Sequence, residues 1–144
     1  TDILPATLDG TIDDLADVEA MDDEVDVLHG LLLEYLGDIG EARLSEASSD
    51  ELMDLFEATN ALEAIGDIIE TNLVTLGNQR ISGSIRVSAE TREVLEIYHR
   101  AVYDAFQLAL IAVTQKDQAA ARKVSQMKSH IRKCGSCLRS RRII

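Results

Sequence analysis

Two stretches of the sequence each carry a row of polar side chains at offsets of three or four residues. One row consists of Asn60, Glu63, Asp67 and Glu70, and the other of Asp22, Asp26 and His29. On a helix this spacing places the members of a row on one face, one turn above another. Stacked carboxylates repel one another unless water, a cation or a basic partner offsets their charge. The rows therefore predict either a cation site or a solvated acidic surface.

The chemistry of such a site depends on whether the two rows face each other. Helical bundles build di-metal centres from carboxylates and histidines that project inward from facing helices. Oxygen ligands favour iron, manganese, magnesium or calcium over soft-metal chemistry. Both rows border the apolar stripe of their segment, which favours a shared site. The alternative, in which the acids are solvated and His29 points to water, stays open.

The elements that would carry these rows are long helices. Apolar residues recur at three-and-four spacing over residues 52–76 and again over residues 21–39, as is typical of helices with one buried stripe. Thr11 is predicted to cap the earlier helix, which ends near Gly40. The later helix is predicted to begin near Ser49, through a capping box of Ser48 and Glu51, and to end near Gly77.

Two more helices are predicted in the second half of the chain. One spans Thr91 to Thr114 with Ser88 as its cap, and the next follows Asp117. The segments expected to be irregular are 1–10, 78–87 and a basic tail at 133–144. The sequence thus predicts an all-α fold, an antiparallel bundle of long helices with short connections.

Composition and charge agree with this class and restrict the partners. Only five of the 144 residues are Phe or Tyr, Trp is absent, and there is a single proline. Residues 1–80 hold 21 Asp and Glu against two Arg, a net charge of −19, whereas residues 81–144 carry a net charge of +7. The acidic half disfavours nucleic acid as a partner because phosphates would be repelled. The basic half could meet an acidic surface, a lipid head group or another copy, or simply be solvated.

Motifs for catalysis are weak. Cys134 and Cys137 form a CxxC pair, but a zinc site needs a second such pair or histidines, and a redox role needs a βαβ setting. A carboxylate-bridged metalloenzyme would need a paired Glu-x-x-His motif, and Glu96 with His99 supplies only half of it. We therefore predict that the protein is not an enzyme and keep the metalloenzyme, and a metal-free helical adaptor, as alternatives.

One run resembles a known family. Leu62-Glu63-Ala64-Ile65-Gly66-Asp67 is similar to the signature helix of the PhoU family, although Ala64 stands where many members carry arginine. The segment MDDEVDVLHGLLLEYL, with its acids at Asp22, Asp23 and Asp26, resembles the other characteristic stretch of that family. The segment LGNQRISGSIRVSAETREVLEIYHRAV resembles the PhoU-like domain that follows the membrane part of bacterial sodium/phosphate cotransporters, and the whole resemblance extends over residues 11–131.

This resemblance implies properties that the composition does not show. PhoU-like proteins are repeats of three-helix bundles on the cytoplasmic side of the cell membrane, where they regulate phosphate uptake, and several bind metal clusters. Carried over, the implied metal ligands are Glu63 and Asp67 from one helix and Asp22 and Asp26 from its neighbour. The implied cofactor is iron, manganese, zinc or another divalent cation, and the implied partner is a membrane transporter domain of the same or a separate chain.

The resemblance also predicts how the chain is divided. Residues 1–144 would form a single PhoU-like domain, with helices two and three of a first repeat at 11–80 and helices one and two of a second repeat at 88–132. Each repeat would then lack one helix, so the domain is expected to be incomplete at both ends. Because a missing helix leaves an apolar stripe exposed, we predict a homo-oligomer.

Overall fold

The computed structural model describes residues 3–140 and the side chains of residues 3–136. Six α-helices follow one another: α1 (Ile3–Asp9), α2 (Ile12–Gly40), α3 (Glu46–Ile68), α4 (Thr75–Ser82), α5 (Ala89–Thr114) and α6 (Gln118–Ser140), with a π-helical segment (Ile69–Val74) joining α3 to α4. No strand occurs among the described residues. The predicted all-α class is confirmed.

The chain divides into two compact units, one up to Ile85 and one from Arg86 onward. The first contains α1 to α4 with the π-helical segment, and the second contains α5 and α6. The boundary falls in the segment between the two predicted repeats, 11–80 and 88–132, whose relationship stays a prediction.

In the first unit, α2 and α3 form an antiparallel hairpin. Gly40 lies against Leu52 near the turn, and at the far end the π-helical segment and α4 continue α3 along α2. A small core closes that far end. Leu15 and Val74 are each only 1% exposed there, and they pack with Ala6 and Val18.

Local hydrogen bonds explain where α2 begins. Thr11 Oγ1 accepts from the Asp14 backbone N–H at 3.2 Å, and the Asp14 carboxylate accepts from the Thr11 backbone N–H at 2.8 Å. This reciprocal pair is a capping box, so the predicted cap at Thr11 is confirmed. The helix ends at Gly40, as the periodicity predicted.

The prediction for the start of α3 was wrong by several residues. Ser45, not Ser48 or Ser49, is the cap, and its Oγ accepts from the Ser48 backbone N–H at 3.2 Å. Several serines compete in this segment, and only the backbone conformation decides which one caps.

Two segments expected to be irregular at the edges of the first unit are helical instead. Residues 3–9 form α1 although Pro5 and Gly10 suggested a loop, because burial of Ala6 and Leu8 stabilises the helix. Residues 78–82 continue as α4. Arg80 on α4 links α4 to α1 and the residue after it. Its guanidinium donates to the backbone carbonyl oxygens of Thr7 at 2.8 Å and Gly10 at 2.5 Å.

The second unit is a hairpin of α5 and α6. Ser88 caps α5 by accepting from the Thr91 N–H at 3.2 Å, and Asp117 Oδ1 accepts from the Ala119 N–H at 2.8 Å at the start of α6. Both predicted caps are confirmed.

The predicted irregular tail at 133–144 was wrong for residues 133–140, which belong to α6. Cys134 is partly buried and continues the apolar spacing of Ile131, and a Cβ at Gly135 would lie 3.4 Å from the Tyr98 ring on α5. The cysteine and glycine therefore act as small packing residues that prolong the helix. Residues 141–144 lie outside the described part of the chain.

Candidate metal site

Three carboxylates from two helices meet on the surface of the first unit. One oxygen from each of Asp22 and Asp26 on α2 and Asp67 on α3 lies within 4.8 Å of the other two. Asp22 is partly buried, and the other two are exposed. Ligand oxygens bound to one Mg²⁺ or Ca²⁺ at about 2.0–2.6 Å lie up to about 5 Å apart across the ion. The spacing of these three oxygens therefore suits a single hard divalent cation.

The antiparallel hairpin is what brings the three acids together. Asp22 and Asp26 are four residues apart and share a face of α2, one turn above another. Asp67 comes from the opposite direction on α3, at the same level of the hairpin. The convergence of the two predicted acidic rows thus follows from the pairing of α2 with α3.

Gly66 makes room for the Asp22 carboxylate. A Cβ placed on Gly66 would lie 2.5 Å from Asp22 Oδ1 and 3.7 Å from a methyl group of Val25. Any side chain at position 66 would displace that carboxylate. The glycine beside Asp67 therefore forms a cradle that a Cβ would fill, and this geometry fits the donor set of a cation site.

The electrostatics of the group show unrelieved repulsion. Partial burial raises the pKa of Asp22 above its ordinary value, and the negative charges of Asp26, Asp67 and Asp23 raise it further. A bound cation favours the ionised form and reverses this effect. The carboxylates are thus arranged so that a positive ligand would relieve a repulsion already present.

The acidic surface extends beyond the predicted ligands. Desolvation and the charges of Asp22, Glu19, Asp67 and Asp23 raise the pKa of Glu70. Glu70 lies in the π-helical segment Ile69–Val74. Such segments are frequent at functional sites. The two polar rows predicted from the sequence included Glu70 but not Glu19. Glu19 lies three residues before Asp22, so helical spacing could have placed it on the same face of α2.

Glu63 and His29 do not belong to the group of three. Glu63 lies one turn before Asp67 on α3 and is partly buried, but its carboxylate is not among the converging oxygens. His29 instead contacts the other helix through its Nε2, 3.0 Å from Asn60 Oδ1. The polar rows therefore split into a carboxylate cluster and a histidine–asparagine hydrogen bond that joins α2 to α3.

Cys134 and Cys137 both belong to α6. Cys134 is partly buried, and its Sγ lies 3.6 Å from His130 Nε2, one turn earlier on α6. The side chain of Cys137 lies outside the described residues. Among the described residues, the only group suited to hold a metal is the carboxylate cluster.

The segment that contains this site matches the model of a known family. The family model for the PhoU domain matches residues 1–72, which is half of the chain. The chain belongs to the PhoU family. The matched segment includes all three converging aspartates and Gly66. No curated protein and no solved structure matches the chain.

Membership gives the function in general terms. PhoU domains are all-helical domains of a regulatory family, and membership indicates a regulatory role in phosphate transport in general. Within residues 3–140, no helix combines the length and apolar character that crossing a bilayer requires.

Proposed function

We propose that this PhoU domain regulates a sodium-coupled phosphate transporter from the cytoplasmic face of the cell membrane and that a divalent cation at the carboxylate cluster controls it. The observation that carries the proposal is the meeting of Asp22, Asp26 and Asp67 over Gly66 inside the segment that matches the family. The proposed partner is the membrane domain of that transporter, in the same chain or as a separate subunit.

The cation would act on the α2–α3 hairpin. It would bridge two helices that repel each other at this level, and so it would stabilise their pairing. The proposed ion is iron, manganese, zinc or another divalent cation, and carboxylate oxygens suit manganese better than thiophilic metals. Binding would make the first unit more stable by mass action.

Calorimetric titration of the full chain with Mn²⁺ and Zn²⁺ tests the site. Asp67→Asn is expected to weaken binding by at least about tenfold. Mutation of residues that only support a metal ligand already lowers metal affinity by about tenfold or more, and a direct ligand should matter at least as much. Glu63→Gln is the matched comparison on the same helix. If it weakens binding as much, Glu63 is a fourth ligand as the family resemblance implies; if it leaves binding unchanged, the site has three protein ligands. Wild-type protein that binds no divalent cation would exclude the site.

Phosphate uptake tests the regulatory role. Cells that carry the Asp22→Asn/Asp67→Asn variant at the native locus are expected to show altered phosphate uptake in sodium medium and unaltered uptake when choline replaces sodium. An equal change in both media would assign the domain to a sodium-independent phosphate system. Unchanged uptake in both would contradict regulation through this site.

We also propose that the first unit associates with a second copy through an apolar face. Large apolar side chains on α2 and α3 remain exposed: Met21, Val25, Leu28, Leu32, Leu62 and Ile65. Leu28, for example, is 59% exposed. Contiguous apolar patches of this kind mark interaction surfaces. A monomer in light scattering at micromolar concentration would contradict self-association.

A metalloenzyme is the second candidate, favoured only by the carboxylate cluster itself. It would require two facing Glu-x-x-His motifs. His29 contacts Asn60 and lies outside the group of three carboxylates. The regulatory function is therefore the better supported of the two.

A further inference from the structure

The outer face of α6 carries only positive charge. The helix has 23 residues and no Asp or Glu, and it includes six basic residues. Five of them are exposed in the described structure: Arg122, Lys123, Lys128, Arg132 and Lys133. They lie between residues 122 and 133, which is about 18 Å of a helix that is about 35 Å long at 1.5 Å per residue. We refer to these five residues as the basic face.

The basic face is fixed in place by the opposite side of the same helix. Ala120 is 4% exposed, and Val124, Met127 and Ile131 are partly buried at three-and-four spacing. Because α6 packs against α5 through this apolar side, its cations must point outward. The charges are thus presented by a packed hairpin and do not depend on folding at a target.

The chemistry of the face limits what it can bind. Between the cations lie only small, hydroxyl or amide side chains and His130, and α6 contains no Phe, Tyr or Trp. Interfaces with other proteins need apolar or aromatic anchors at their centre, and single-stranded nucleic acid needs aromatic stacking platforms. A bilayer rich in anionic lipids needs neither, because clusters of four to eight Lys and Arg on a helix suffice to hold it.

We propose that the basic face of α6 binds the surface of an anionic lipid bilayer. The binding is electrostatic and peripheral, since the apolar side of α6 is occupied by α5 and is not free to insert. This inference is independent of the cation site and goes beyond contact with a transporter domain, because it assigns a lipid surface and the residues that meet it.

Sedimentation of the full chain with lipid vesicles tests the proposal. Binding is expected to vesicles of phosphatidylcholine mixed with phosphatidylglycerol, not to phosphatidylcholine alone, and high salt is expected to abolish it. Each Lys or Arg near such a surface contributes roughly fivefold to the affinity, so Lys128→Gln/Arg132→Gln should weaken binding by about 25-fold. Circular dichroism should show unchanged helix content, because Gln is a good helix former at exposed positions.

A matched control separates the face from net charge. Arg86→Gln/Arg100→Gln removes the same charge from exposed positions of the same unit but not from α6, and it should leave vesicle binding within about twofold of wild type, well short of the fivefold of one surface cation. Equal losses in both variants would overturn the proposal. Absence of vesicle binding would also overturn it. Salt-sensitive binding to duplex DNA would then assign the face to a nucleic acid, and salt-sensitive self-association would assign it to a second copy. Vesicle binding that persists in Asp67→Asn protein would show that it does not rest on the cation site.

Discussion

The carboxylate of Asp22 lies over the Cα of Gly66, so close that a Cβ there would come within 2.5 Å of Oδ1. This contact joins the acidic row of α2 to the family signature of α3. It also explains why a glycine interrupts a helix at a position where alanine would be intrinsically better by about 1 kcal/mol. The space above Gly66 is occupied by a charged group instead of a methyl.

Gly66→Ala should therefore separate stability from cation binding. We expect the added methyl to push the Asp22 carboxylate aside and to weaken Mn²⁺ binding about tenfold or more, as for other changes that misplace a metal ligand. The free energy of unfolding without metal should change by less than about 1 kcal/mol, because the gain in helix propensity offsets the steric cost. Titration calorimetry and urea unfolding measure the two effects.

Gly30→Ala is the control for that experiment. A Cβ at Gly30 meets nothing within 4 Å, so the same substitution on α2 should raise the free energy of unfolding by about 0.5–1 kcal/mol and leave cation binding unchanged. If Gly30→Ala also weakened cation binding, the loss in Gly66→Ala could not be assigned to Asp22.

Because the pKa of Asp22 is raised in the folded state, the stability of the protein should depend on pH in a definite direction. A carboxyl whose pKa is higher in the folded state binds its proton more tightly there than in the unfolded chain. Its contribution to stability therefore falls as pH rises from the ordinary value of 3.8 through the raised pKa, and the loss is complete above it. Glu70, whose pKa is also raised, adds to the effect in the same direction from its ordinary value of 4.5.

Asp22→Asn isolates this contribution. In metal-free buffer at pH 7 the variant should be more stable than wild type, by about 0.2–0.5 kcal/mol for relief of the like-charge pair with Asp26 one turn away. The difference should disappear at about pH 3, below the ordinary pKa of 3.8, because wild-type Asp22 is protonated there in both the folded and the unfolded state. Urea unfolding at both pH values measures it. With saturating Mn²⁺ the order should reverse, and a variant that stays more stable than wild type with metal present would contradict a role for Asp22 as a ligand.

The small core at the end of the hairpin should dominate the stability of the first unit. Leu15 is 1% exposed, and its methyl groups lie beneath Gly77. Leu15→Ala should lower the free energy of unfolding by about 2–5 kcal/mol because it leaves a cavity. Leu31→Ala is the comparison on the same helix, since Leu31 is 58% exposed and surface changes cost less than about 0.5 kcal/mol. Thermal unfolding that fails to distinguish the two would contradict this packing.

The Arg80 guanidinium holds α1 to α4 through two backbone carbonyls. Arg80→Lys keeps the charge but cannot reproduce both hydrogen bonds from one planar group. We expect a loss of about 1.5–3 kcal/mol, the contribution of a hydrogen bond to a charged group. Hydrogen exchange should show that residues 3–9 lose protection before α2 does, whereas uniform loss along the unit would mean that α1 does not depend on this contact.

Much of the fold was determined locally and could be predicted. The three-and-four spacing gave the long helices, and Thr11, Ser88 and Asp117 cap where the sequence placed them, because each cap depends on a side chain and a backbone N–H two or three residues away. The acidic rows were equally visible, since helical spacing alone places Asp22 beneath Asp26.

Pairing of the helices decided the rest. The register of α2 against α3 selects Asp67 rather than Glu63 to meet the aspartates, and it directs His29 to Asn60. Contacts across 70 residues, from Arg80 to Gly10, hold α1 helical where proline and glycine suggested a loop. Burial against Tyr98 likewise prolongs α6 through Gly135. Local spacing determines which face a side chain occupies, but only tertiary packing determines what that face meets, because the energy of burial depends on partners that are distant in sequence.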